Sequence, residues 1–277
     1  MRNFRSTEHQ SGPARPVLML DFDGTVCVGD DPVLAYVTAM GPLEPAARAD
    51  LNADLNAFLR GGTDRAEDPA MAGVEDGYAA AKHLAQRHGL TTAQIDAAYQ
   101  TSRAEASSWL ANVRAPDGLR ALLDDVTGRV SRVLVTNAPA TGLDLVLDRL
   151  GITDCIDDIV TDAGKPERTG AVVTELLARH GISHVPHLLM SIGDVWRNDL
   201  AAPLELGCAT AYIDRFDRGL GPAHLRGVRF EDLVDGIREW AADPTAFTES
   251  RQIGSSGSVP IATHTAAASD VSRLPIQ

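Results

Sequence analysis

The segment Val17 to Cys27, VLMLDFDGTVC, constrains this chain more than any other stretch. Four apolar residues, Val17 to Leu20, run without a polar break and stop at two carboxylates, Asp21 and Asp23. Phe22 lies between them, and Gly24 and Thr25 follow. An unbroken apolar run is the pattern of a strand buried on both faces, as in a parallel sheet. Ligands of such sheets sit beyond the carboxyl ends of the strands, which is where Asp21 and Asp23 fall. Residues two apart on extended backbone point the same way, so both acids can converge on one metal or substrate. Gly24 permits a sharp turn or close approach of the backbone to a ligand. Alone, the tetrapeptide is also compatible with an ordinary acidic turn, and residues further along decide between the two.

Beyond residue 113 strands and helices alternate. The pattern predicts a helix over 116–127, a strand over 132–136, a helix over 141–150 ending at Gly151, and a strand over 156–160. A helix over 169–180 and a strand over 187–192 follow, the latter stopping at Gly193-Asp194. A helix then runs to Leu206, a strand covers 208–213, and an amphipathic helix with Leu233, Val234, Ile237 and Trp240 ends near Ala242. This alternation implies βαβ units and a parallel sheet, and right-handed crossovers place all strand ends on one edge. The expected fold is α/β, a Rossmann-like parallel sheet core with helices on both faces.

Between the first strand and the second lies a block without a convincing strand. Gly29 to Pro32 is a turn that starts a helix, with Pro32 near its first position. A helix is expected over 75–88, closed by Gly89. Another is expected over 92–113, capped by Thr91 or Thr92, with the stripe Ile95, Ala98, Tyr99, Ser102, Ala106, Trp109, Leu110 and Val113. Arg60 to Arg65 and Pro69 to Gly73 read as loops. The expected division is a disordered N-terminus (1–15), an α/β core (16–30 and 114–242), an α-helical cap domain (31–113) and a flexible, Ser-, Ala-, Thr- and Gly-rich C-terminal tail (243–277).

Composition excludes several functions. The net charge of −13 argues against a broad nucleic-acid partner, which needs a basic face. No apolar run approaches the roughly 18 residues of a membrane span, and the N-terminus lacks the apolar core of a secretory signal. Cys27, Cys155 and Cys208 are scattered and suggest neither a disulfide framework nor a zinc site. A cytoplasmic protein is expected. Lysine occurs twice, at Lys82 and Lys165. A chain that otherwise uses arginine has reason to keep a lysine where a compact point charge is needed.

The strand ends collect chemistry. They carry Asp21 and Asp23, then Thr136 and Asn137, then Lys165 in the loop after the third strand, then Asp194 and Asp199. Each has a local explanation as a cap, turn or surface residue. Capping alone does not account for acids, a hydroxyl and an ammonium at four strand ends. In DFDGTV (Asp21 to Val26), VLVTN (Val133 to Asn137), KPE (Lys165 to Glu167) and GDVWRND (Gly193 to Asp199), the sequence resembles the haloacid dehalogenase superfamily, most of whose members are phosphatases. The four motifs occur in that family's order.

The resemblance implies a Mg²⁺-dependent phosphomonoester hydrolase acting on a small phosphorylated metabolite. It assigns Asp21 as nucleophile and Asp23 as general acid and base. Thr136 and Lys165 stabilise charge on the phosphoryl group. It places Asp21, Phe22, Asp23, Gly24, Thr136, Asn137 and Lys165 around the phosphate. Asp21, the Asp23 backbone carbonyl and Asp194 would hold the metal, with Asn198 and Asp199 behind them. Carboxylates this close repel one another and a phosphate dianion, which a hard divalent cation relieves. Many relatives have Ser where this chain has Val195, and often Gly where it has Ala202. The insertion between the first and second motifs is where the family places a cap that excludes water and chooses the substrate. Arg60, Arg65, His83 and Arg103 are its specificity candidates. Alternatives within the fold are a dehalogenase, which does not need Asp23; a phosphonate hydrolase, for which Lys82 would be the Schiff-base lysine; and a phosphosugar mutase. A non-catalytic binding module is the alternative outside catalysis. The oligomeric state and the substrate are not legible in the sequence.

Overall fold

The computed structural model describes residues 15–41, 43–61, 71 and 73–253. Its centre is a six-stranded sheet, parallel throughout, with spatial order β3-β2-β1-β4-β5-β6. The strands are β1 (Val17–Leu20), β2 (Ser131–Val135), β3 (Asp158–Val160), β4 (Leu189–Gly193), β5 (Ala209–Ile213) and β6 (Leu225–Gly227). The apolar run of β1 has no exposed face because it lies between β2 and β4, with Leu20 in register with Leu134 on one side and Ile192 on the other. Alternate side chains serve opposite faces. Leu18 and Leu20 join one core cluster, Val17 and Met19 the other. Each such burial contributes about 1.5–3 kcal/mol, so the central strand is fixed in place before any polar contact is counted.

On the first face pack α5 (Leu119–Asp125), α6 (Leu143–Leu150) and α10 (Val234–Ala242), through Leu122, Val146, Leu147, Ile237 and Trp240. On the other lies α7 (Thr169–Arg179), through Val172, Val173 and Leu176. Short helices α8 (Trp196–Asp199) and α9 (Ala201–Glu205) connect β4 to β5. The predicted boundaries of the sheet core hold to within a few residues, except that the one helix expected up to Leu206 is broken at Leu200 into α8 and α9. The three-residue edge strand β6 escapes sequence reading because it is too short to show a period, and pairing with β5 makes it a strand.

The inserted block folds as α1 (Asp31–Ala39), α2 (Pro45–Gly61), α3 (Gly77–Arg87) and α4 (Thr92–Ala104). They bury one another's apolar stripes, among them Val33, Tyr36, Leu55, Phe58, Leu84 and Ile95, in a cluster separate from both sheet faces. Thr91 caps α4 in a capping box with Gln94. Arg60 and Gly61 end α2 rather than starting a loop; Arg65 lies outside the described residues.

Two further expectations are corrected. The helix predicted over 92–113 stops at Ala104 and continues as two short 3₁₀ turns, 106–108 and 110–112. The Trp109 indole N–H turns back to donate to the Ser102 carbonyl (3.0 Å), occupying an acceptor that a continuing helix would use. The flexible tail does not begin at 243. Pro244–Ser250 forms α11, started by Asp243, whose side chain accepts from the Ala246 N–H. Phe247 is buried in the first-face core, and the Arg251 guanidinium lies over its ring. The remaining predicted tail, 254–277, and the N-terminal stretch to residue 14 lie outside the described residues.

Candidate active site

The register of β1 places Asp21 one step beyond Leu20, at the carboxyl edge where β2 and β4 also end. Its backbone N–H donates to the Ile192 carbonyl (2.9 Å), which fixes the turn out of the strand. One carboxylate oxygen accepts from Lys165 Nζ at 2.6 Å and the other from the Thr25 hydroxyl at 3.2 Å. Phe22 enters the hydrophobic core, and its carbonyl accepts from the amides of Thr25, Val26 and Cys27. The bend needs Gly24: φ is +82°, and a Cβ there would lie 2.1 Å from Asp194 Oδ2.

Lys165 is buried, and its ammonium has three acceptors for three donors: Asp21 Oδ1 (2.6 Å), Asp199 Oδ1 (2.6 Å) and the Val135 carbonyl (3.0 Å). Burial works against the charge, but Asp199 and Asp21 outweigh it and raise the pKa above the ordinary lysine value. Asn137 positions this lysine. Its side chain accepts from the Lys165 backbone N–H (2.7 Å) and donates to the Lys165 carbonyl (3.0 Å), so its amide group is committed to the loop. The Thr136 hydroxyl is buried and accepts from the Ala138 N–H at 3.0 Å.

Asp199 is fully buried at the end of α8. Its second oxygen accepts from the Val195 N–H (3.1 Å). Burial pushes its carboxyl up to about 7 against the opposing pull of Lys165. The neighbouring Asn198 uses its carbonyl to receive the Thr169 hydroxyl (2.7 Å), tying α8 to α7. Asp194 stands apart, with Oδ1 buried and without a hydrogen-bond partner among the described residues. Burial, then Asp21, Asp199 and Asp76, hold its carboxyl well above the ordinary carboxylate range. Oxygens of Asp21, Asp194 and Asp199 lie within 4.8 Å of one another. Lys165 neutralises part of that charge, and an orphaned carboxylate oxygen remains. Clustered hard oxygen donors with one unsatisfied fit a hard divalent cation such as Mg²⁺.

The Asp23 carboxylate faces the insert instead of this cluster. It is ion-paired to Arg103 of α4, and the Tyr78 hydroxyl reaches its other oxygen (3.5 Å). Burial raises its pKa, opposed by Arg103. Arg103 is the specificity candidate that arrives at the site. Arg60 is exposed, and neither His83 nor Arg103 itself lines the cavity, which Arg103 adjoins through Asp23 and Tyr78. The cavity, about 250 Å³, runs from Asp23, Gly24 and Asp194 outward between the insert and the sheet.

Two site residues escaped sequence reading. Asp76 caps α3 through the Ala79 N–H (2.6 Å) and borders the cavity. Burial first, then Asp21, Asp23 and Glu75, push its carboxyl up to about 6. Tyr78 follows it. Asp76 ahead of a helical run is a visible capping signal, but its proximity to core acids more than fifty residues away is not.

These features define the class: an α/β protein whose parallel sheet presents a lysine-bridged carboxylate cluster at its carboxyl edge, under a helical insert. More particularly, the chain has the haloacid dehalogenase-like fold. A predicted phosphoglycolate phosphatase from Haemophilus somnus 129pt is similar over 80% of this chain and 97% of its own, at 15% identity and TM-score 0.54. The putative hydrolase YfnB from Bacillus subtilis, bound to magnesium, is similar over 80% and 97%, at 14% identity and TM-score 0.51. The L-2-haloacid dehalogenase RSc1362 is similar over 81% and 99%, at 13% identity and TM-score 0.51. No protein-family model matches the sequence, and no curated protein matches it. Among the described residues no helix is long and apolar enough to cross a membrane.

Proposed function

We propose that this protein is a Mg²⁺-dependent hydrolase of phosphate monoesters, acting on a small phosphorylated metabolite through a covalent aspartyl-phosphate on Asp21. The observation that carries the reading is the pairing of a lysine-bridged acid, Asp21, with a second acid, Asp23, that takes no part in the bridge. An Asp21 oxygen attacks phosphorus, and the bond from phosphorus to the ester oxygen breaks. Asp23 gives its proton to the departing alkoxide, then takes one from the water that attacks the aspartyl-phosphate, so that inorganic phosphate leaves and the Asp21 carboxylate returns. Lys165 holds Asp21 in line and offsets charge gathering on the phosphoryl oxygens, beside the Thr136 hydroxyl. With its side chain committed to the Lys165 loop, Asn137 has its backbone N–H for a phosphoryl oxygen. Asp21, the Asp23 carbonyl and Asp194 are the metal ligands of this reading, and Asp199 supports them through Lys165. Bound Mg²⁺ screens the repulsion between the carboxylates and the phosphate dianion.

Asp23 favours this reading over dehalogenation, which needs no second acid there. A phosphonate-cleaving mechanism lacks its lysine, since Lys82 is exposed on α3. Transfer back to a sugar, as in a mutase, is separated from hydrolysis by whether free phosphate accumulates. The test is phosphate release from p-nitrophenyl phosphate and a panel of phosphorylated metabolites with and without Mg²⁺, beside Asp21→Asn. Release that requires Mg²⁺ and vanishes in the variant is expected. Undiminished release by Asp21→Asn, or none by the parent protein, rejects the mechanism.

A further inference from the structure

The loop leaving β5 belongs to the core in sequence and to the insert in its contacts. Asp214, at the end of β5, is 2% exposed. Its carboxylate accepts from the Arg218 N–H (3.0 Å), the Gly219 N–H (2.6 Å) and Arg226 Nε (2.9 Å), which curls residues 214–219 into a tight turn tied to β6. Three side chains of this turn cross to the insert. The Arg215 guanidinium pairs with Asp30 (2.8 Å) ahead of α1 and donates to the Leu59 carbonyl of α2 (3.2 Å). The Phe216 ring packs against the insert's own apolar cluster, edge-on to Phe58 with centroids 5.3 Å apart. The Arg218 guanidinium forks onto two successive carbonyls, Val74 (2.6 Å) and Glu75 (3.0 Å). Arg215 and Arg218 both lie over the Phe216 ring, each 5.3 Å from its centroid, an arrangement that gains from cation–π attraction. A second core element holds the same stretch of the insert: the Arg197 N–H of α8 donates to the Glu75 carboxylate (3.3 Å). A loop serving only to link β5 to β6 would run in solvent; this one commits an aromatic ring and two guanidinium groups to the insert.

The stretch gripped in this way leads straight into the site. Asp76 follows Glu75, caps α3 through the Ala79 N–H and lines the cavity. Tyr78 lines it too, and its hydroxyl accepts from Arg103 (2.6 Å) and donates to Asp23 (3.5 Å). Only three residues separate Tyr78 from the Glu75 carbonyl that Arg218 holds, so displacement of one carries the other. We infer that Phe216 and Arg218 are positioning residues: the loop leaving β5 fixes the insert segment 74–78 to the core and thereby holds Tyr78 against Asp23 while the ester oxygen is protonated. The role rests on the phosphatase reading above; the grip itself does not. With the grip broken, Asp23 keeps its carboxylate but loses the hydroxyl that steadies it. Proton delivery to the departing alkoxide suffers first.

Two leaving groups test this. p-Nitrophenolate departs with little help from an acid, whereas the alkoxide of glycerol 2-phosphate needs its proton. With the full chain and Mg²⁺, Arg218→Gln and Phe216→Ala are expected to lower kcat for glycerol 2-phosphate roughly 10-fold more than kcat for p-nitrophenyl phosphate, a fraction of what a positioned acid supplies. Arg218→Lys, which keeps the charge but not the fork, is expected to fall between parent and Arg218→Gln. Loss of folded protein alone lowers both rates together, so Leu176→Ala, which weakens the α7 face of the core, is expected to leave their ratio unchanged. Amide hydrogen exchange over residues 73–80 reads the grip without catalysis: it is expected to quicken in both loop variants and not in Leu176→Ala. Should Phe216→Ala fail to fold, the two Arg218 variants decide alone. An equal loss for both esters, no loss for either, or exchange unchanged by Arg218→Gln overturns the inference, while p-nitrophenyl phosphate hydrolysis by the parent preserves the phosphatase reading. A parent protein that hydrolyses neither ester removes that reading and the positioning role with it, and faster exchange in the variants would then establish the grip alone.

Discussion

Asp194→Asn should make the metal-free protein more stable while abolishing its response to Mg²⁺. Asp194 shares a space under 4.8 Å wide with the oxygens of Asp21 and Asp199, and Lys165 already binds both of those. Two ionised carboxylates at that separation repel by about 3.5 kcal/mol at an effective dielectric of 20. Protonation relieves part of this, which is why burial and the neighbouring acids raise the Asp194 pKa. A carboxyl whose folded pKa lies above its unfolded value of 3.8 contributes nothing unfavourable below that value. It costs progressively more as pH rises through the folded pKa. The amide has the same shape and no charge, so Asp194→Asn should gain on the order of 1–3 kcal/mol at pH 8 and almost nothing near pH 4. In thermal melts of a chain this size that is a rise of roughly 2–4 °C per kcal/mol. Mg²⁺ at a hundred times its Kd should stabilise the parent protein by about 2.7 kcal/mol and leave the variant unmoved. A variant that melts lower than the parent at pH 8 without metal, or one that gains as much from Mg²⁺ as the parent does, would refute the assignment of Asp194 as an uncompensated acid awaiting a cation.

Other substitutions probe the remaining supports. Lys165→Met removes the ammonium shared by Asp21 and Asp199; a stability loss of about 3 kcal/mol by chemical denaturation and a fall in kcat of at least ~10² are expected. Gly24→Ala forces a side chain into the left-handed region, at about 1–2 kcal/mol, and against Asp194, so the Mg²⁺-induced rise in melting temperature should vanish with it. Phe247→Ala should cost about 3 kcal/mol, and cutting the chain after Asp243 should cost at least as much, measured by urea unfolding. The Thr210 N–H donates to His224 Nδ1 (3.2 Å), and burial, aided by Arg251, lowers the pKa of that imidazole below 6.5. Its stabilising effect is present above pH 6.5 and is lost as pH falls through the folded pKa. The melting-temperature gap between the parent and His224→Gln should therefore narrow from pH 7.5 to pH 5.

What could be read from the chain beforehand, and what could not, follows from the range of the forces involved. Strands such as Val17–Leu20 and Leu189–Gly193 announce themselves because burial on both faces of a parallel sheet demands an unbroken apolar run. Topology then forces their ends together, so Asp21, Thr136, Lys165 and Asp194 could be placed on one edge without knowing a single distance. The Arg103 contact with Asp23 has no such local cause. It depends on how the insert leans on the sheet, and Ser102-Arg103 sits in a stripe that reads equally well as a helix continuing to Val113. The helix ends at Ala104 instead, where the Trp109 indole bonds back to the Ser102 carbonyl, and no pattern of apolar spacing encodes the choice. Phe247 was missed for the opposite reason. One large side chain in a short polar segment shows no period, yet it is enough to turn Pro244–Ser250 from tail into core-packed helix. Side chains whose position follows from strand direction could be foreseen; those held by a single tertiary contact could not. Asp76 and Tyr78 at the cavity, and the contact of Arg103 with Asp23, are of the second kind, which is why the acids of the sheet edge are easier to read than the surface that faces them.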